Sequence, residues 1–93
     1  MNDTLTSRCA TISTVREYNR IEDPGHSWLE VPIKDVREAG VEDQITPYSY
    51  IKEGKMYLEE DCDLDTFYNA MVKKGITIKM NRVRIEDSDE FFV

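Results

Sequence analysis

Ninety-three residues, 40% hydrophobic and 33% charged, fit one globular domain and leave no room for a second. A formal charge of −7 disfavours nucleic acid, where cations must replace condensed counterions, and equally disfavours anionic membrane surfaces. Apolar runs of two or three residues exclude a membrane-spanning helix, and Met1 to Ala10 lack the basic start and apolar run of a signal peptide, so a cytoplasmic protein is expected.

Residues 1–10 are polar and read as a flexible N-terminus, residues 11–85 as a single domain, and residues 86–93 as an acidic and aromatic C-terminal tail, docked or frayed. Cys9 and Cys62 lie far apart without a CxxC pair and read as two unpaired thiols; a disulfide would pin the N-terminus to the acidic segment. From Thr11 to Ile21, β-branched and aromatic residues suggest a strand. Thr14 with Glu17 also fits a capping box, so a short helix is the alternative. Asp23-Pro24-Gly25 signals a turn into a second strand, Ser27–Val31. Pro32 suits the first turn of a helix that presents Ile33, Val36 and Val41 inward and that Gly40 closes.

After a connection over residues 42–47, Tyr48–Ile51 and Lys55–Glu59 read as a hairpin turning at Glu53-Gly54. Asp63 or Asp65 can cap a second helix, on which Leu64, Phe67, Tyr68 and Met71 recur at i, i+3, i+4 and i+7. Lys73 and Lys74 complement its dipole and Gly75 ends it. Ile76, Ile78 and Met80 alternate as a half-buried strand should, whereas Val83 and Ile85 alternate in the opposite phase. That slip near Asn81 predicts a bulge or a turn. The expected fold is α+β: a small antiparallel or mixed sheet of four or five strands, two helices packed on one face, in the approximate order β-β-α-β-β-α-β.

Pro24-Gly25-His26-Ser27-Trp28-Leu29-Glu30-Val31-Pro32, Pro47-Tyr48-Ser49-Tyr50 and Tyr57-Leu58-Glu59-Glu60-Asp61-Cys62-Asp63 resemble segments of small proteins encoded by bacteriophages, prophages and other mobile elements, a group without an established activity. The likeness spans roughly Asp23 to Gly75. It implies a phage or prophage origin and action in the host cytoplasm, and it transfers no catalytic residue.

Strand alternation supplies the most suggestive pattern. It places His26, Trp28, Glu30, Tyr48, Tyr50, Tyr57 and Glu59 on one sheet face, with the aliphatic residues on the other. An aromatic face with a few polar groups suits a partner or ligand, unless it is itself core or is covered by the N-terminal segment or Phe91-Phe92. Such a face also suits bases of single-stranded RNA, but the charge opposes that, and Lys73 and Lys74 in the basic stretch to Arg84 already serve a helix end.

Asp61-x-Asp63-x-Asp65 mimics the opening of a calcium loop but fails at Thr66 and Val72, and no metal is expected. A Cys62–His26 dyad is opposed by the carboxylates around the thiol. GxGxxG, Walker and GxSxG motifs are absent, so no cofactor and no enzymatic activity are expected.

These observations favour an acidic, non-enzymatic accessory protein that binds a host protein surface, with no nucleic acid and no membrane, as a monomer or homodimer. Glu59, Glu60, Asp61 and Asp63 could mimic nucleic-acid charge toward a basic partner. The alternatives are a small-molecule binder or minor enzyme using His26, Glu30 and the tyrosines, and a self-associating structural protein.

Overall fold

The segment with both strand and helix signatures is a strand, β1 (Thr14–Glu22), in the computed structural model of the chain, which describes residues 14–92. Glu17 forms no capping box with Thr14. It accepts a hydrogen bond from Asn81 across the sheet at 3.2 Å. The expectations placed on residues 1–13, including the flexible N-terminus and a role for Cys9, lie outside the described residues.

At the turn, Asp23 Oδ1 accepts from the N–H groups of Gly25 and His26 at 2.9 and 2.7 Å, closing the hairpin to β2 (Ser27–Pro32). Pro32 stands just before α1 (Ile33–Ala39), and Gly40 ends that helix at φ 76, a left-handed conformation that suits glycine. A 3-10 turn at Glu42–Gln44 leads to β3 (Tyr50–Lys52) and β4 (Lys55–Glu59), joined by Glu53 and Gly54, both at positive φ as a two-residue hairpin turn requires. α2 (Asp63–Lys73), β5 (Ile76–Arg84) and α3 (Ser88–Phe91) complete the chain.

The sheet runs β3-β4-β2-β1-β5, antiparallel throughout except for the parallel β1–β5 pair. It is a mixed five-stranded sheet in an α+β fold, as expected. One core fills the space between one face and the helices, joining Leu29, Val31 and Leu58 to Val36 of α1 and to Phe67 and Met71 of α2. Leu64 belongs to the same stripe, but Tyr68 does not and is 38% exposed. Neighbouring helical positions diverge by about 100°, so Tyr68 points away from the line Leu64, Phe67, Met71 that meets the core. The capping role given to Asp63 or Asp65 is also corrected: the N-cap position is Cys62, and no side chain among the described residues caps it.

The slip near Asn81 produces no bulge. β5 pairs with β1 in unbroken register from Thr14↔Ile76 to Glu22↔Arg84. Ile76, Ile78 and Met80 pack on the helix side, while Ile85, in the opposite phase, joins a second cluster with Ile21, Trp28 and Tyr57. Val83, in the same phase as Ile85, stays 37% exposed, so only Ile85 of that set enters the second core, which Phe91 and Phe92 close at and after α3.

Candidate functional site

Cross-strand register assembles the expected aromatic face. Trp28 pairs with Glu59, Glu30 with Tyr57, and Tyr57 with Tyr50, so these side chains are neighbours across β2, β4 and β3. The face is not open, however. Trp28 and Tyr57 are 4% and 5% exposed because α3 folds back over them.

Phe92 stacks on Tyr50 with ring centroids 4.0 Å apart and planes 10° from parallel, and meets Trp28 and Tyr57 edge-on at 4.9 and 5.1 Å. Phe91 meets Tyr57 at 5.6 Å, and its carbonyl accepts from Lys52 Nζ at 2.6 Å. Asp87 caps α3 by accepting from the Asp89 N–H at 2.9 Å. The Ser88 side chain lies near Asp23 of the β1–β2 turn. Burial pushes the Asp23 carboxyl up, but hydrogen bonds from Gly25 and His26, aided by Ser88, prevail and hold it below its ordinary value.

What stays accessible is one end of the face. A recess of about 330 Å³ is lined by His26, Trp28, Tyr48, Tyr50, Glu59, Ser88 and Asp89. His26 stacks against Trp28 at 5.7 Å, and Tyr50 meets the indole edge-on at 6.0 Å. Tyr48 and Tyr50 are 73% and 43% exposed and form its outer rim. Tyr48 lies outside β3, where the chain bends around Asp63: Thr46 donates to that carboxylate through its N–H and its hydroxyl, and the Ser49 hydroxyl also donates.

The acidic run is mostly occupied with structure, which corrects the expected display of charge. Asp63 is 1% exposed. Glu60 accepts from Arg20 and from the Ser27 hydroxyl at 3.2 and 2.9 Å. Glu59 accepts from the N–H groups of Asp61 and Cys62 while its carboxylate borders the recess. Asp61 is exposed. With Asp63 turned inward, Asp61, Asp63 and Asp65 do not converge; among the described residues no group of three His, Cys, Asp or Glu could hold a metal ion.

Glu30 stands apart from His26. It accepts from Tyr57 Oη at 2.9 Å and lines a different recess, of about 420 Å³, where β1 parts from β2. Charged groups there pair with one another: Arg16 with Glu38 at 2.6 Å, and Lys55 with Glu30 at 3.8 Å. The His26–Glu30–tyrosine grouping is therefore split between two sites. Cys62 is exposed at the start of α2.

Two phenols are held protonated. Burial first, and then donation to Asp35 at 2.7 Å, raises Tyr18 to about 12; burial and then Glu30 raise Tyr57 to about 12. The unfolded chain releases these protons near pH 10 and the folded protein keeps them to about pH 12, so rising pH favours unfolding across that window. Absorbance at 295 nm is expected to show Tyr18 and Tyr57 still protonated at pH 11 and ionising when urea unfolds the chain. Full ionisation of all five tyrosines at pH 11 with the fold intact would contradict this.

Ser88 and Asp89 escape a reading of strand alternation, since they reach the recess only through the return of α3. The signal in the sequence is the opposite phase of Ile85, which packs into the second cluster with Phe91 and Phe92, whereas Val83 stays exposed. No helix among the described residues is long and apolar enough to cross a membrane. No protein-family model, curated protein or solved structure matches the chain.

Proposed function

We propose that the chain is a non-enzymatic, phage-type accessory protein that occupies a partner protein's surface through the Tyr48–Tyr50 end of its aromatic face. The observation that carries this reading is the presentation of two exposed tyrosines by rigid supports. Phe92 stacks behind Tyr50, and Thr46 and Ser49 anchor the bend around Tyr48 to buried Asp63. Tyrosine contributes large contact area at low entropic cost, and less so when it must first be ordered. Acidic residues lining the same recess as the tyrosines, Glu59 and Asp89, favour a basic partner surface.

Self-association through the edge strand β5 is less well supported. Lys79, Arg82 and Arg84 lie on that edge, and antiparallel pairing with a second copy would bring like charges together.

Photo-cross-linking tests the docking reading. With benzoylphenylalanine at position 48, a discrete protein adduct is expected in cells, and none with the same group at position 68 on the outer side of α2. Equal adducts at both positions, or none at either, would overturn it.

A further inference from the structure

We infer that the recess beside Tyr48 and Tyr50 is a subsite for one cationic side chain, a lysine or arginine of the partner. The inference rests on the docking reading above and names the chemistry of its central contact. The rings of His26, Tyr48 and Tyr50, with buried Trp28 behind them, line a space of about 330 Å³, room for one long side chain. Glu59 and Asp89 add two carboxylates at its border, and none of the described residues lining it is a lysine or arginine.

Aromatic faces attract cations through their quadrupoles, and carboxylates add charge-assisted hydrogen bonds. Each Glu59 oxygen already accepts one backbone N–H, which fixes the carboxylate while leaving acceptor capacity for an ammonium or guanidinium group. An apolar side chain would desolvate both carboxylates without replacing their hydrogen bonds. The same aromatic cluster already holds a cation at its far edge, where Lys52 Nζ sits 5.1 Å from the Phe91 ring centroid and donates to the Phe91 carbonyl.

The test uses Trp28, the single tryptophan, whose indole N–H gives one signal in a proton–nitrogen correlation spectrum. The probes are the acetylated methylamides of lysine, arginine and norleucine, at matched ionic strength. Saturable displacement of the indole signal by at least one cationic probe, with a midpoint of about 1–30 mM, is expected, and none by norleucine amide. Asp89→Asn, whose side chain accepts no hydrogen bond among the described residues, is expected to weaken the response about threefold or more, while the rest of the spectrum shows the fold unchanged.

Linear, unsaturated displacement by both cations up to about 100 mM, or an equal response to norleucine amide, would overturn the cation subsite. Cross-links from position 48 alongside that negative result would leave docking standing without it. Saturation by a cation without any adduct would leave a cation site and remove the docking reading.

Discussion

Asp63→Ala is expected to remove about 3 kcal/mol of stability and to loosen Tyr48 at the same time. The Asp63 carboxylate, 1% exposed, accepts from the Thr46 N–H at 3.0 and 3.1 Å and from the Thr46 hydroxyl at 2.7 Å. It also accepts from the Ser49 hydroxyl, which in turn accepts from the Glu59 N–H at 2.9 Å. One residue thus ties the start of α2 to the bend before β3 and, through Ser49, to the end of β4.

Alanine strands several part-buried donors at once, and each such group costs about 1–3 kcal/mol, less where water or a rotated hydroxyl finds a new acceptor. Asp63→Asn keeps the shape but turns an amide N–H₂ toward donors, and a loss of about 2 kcal/mol is expected. Asp65→Ala, two residues on and exposed, is expected to stay within about 0.5 kcal/mol of the parent. Urea unfolding of the three variants checks the ordering. A shift for Asp63→Ala as small as that for Asp65→Ala would show that water replaces the carboxylate and that it anchors nothing.

Phe92→Ala is expected to cost about 2 kcal/mol and to expose Trp28. Phe92 is only partly buried, so the loss falls below the 3–5 kcal/mol typical of a fully enclosed phenylalanine. Its ring nevertheless contacts Tyr50, Trp28, Tyr57 and Phe91, and its removal leaves α3, a single short turn of helix, held chiefly by Phe91 and Lys52. Trp28 emission is expected to shift to longer wavelength and acrylamide quenching to rise severalfold, because its 4% exposure depends on that cover. Strong quenching of Trp28 in the parent protein, unchanged in the variant, would show that α3 does not seal the face.

The features legible in the sequence are those with local causes. The α2 stripe of Leu64, Phe67 and Met71, the left-handed stop at Gly40 and the Glu53-Gly54 hairpin each follow from a few adjacent residues. Alternation along β2 and the β3–β4 hairpin was likewise enough to group Trp28, Tyr50, Tyr57 and Glu59, since strand parity is a property of the backbone. Features with distant causes were misread. Acids at a helix start already have a local explanation, which hid the hydrogen bonds of Asp63 to Thr46 and Ser49. The opposite phase of Ile85 suggested a bulge because the second core, made by Trp28, Tyr57 and the tail, cannot be seen along β5 alone. Cover by Phe91-Phe92 depends on where β5 delivers the chain end, which strand parity does not specify.

Docking through the Tyr48–Tyr50 end is tested most directly by a proton–nitrogen correlation spectrum of the chain bound to the protein that cross-linking identifies. The Trp28 indole signal and the amides of His26, Tyr48, Tyr50 and Glu59 are expected to shift, while those of Tyr68, Val72 and the β5 edge stay in place. Shifts confined to β5 or to the outer side of α2, with the indole signal unmoved, would contradict it.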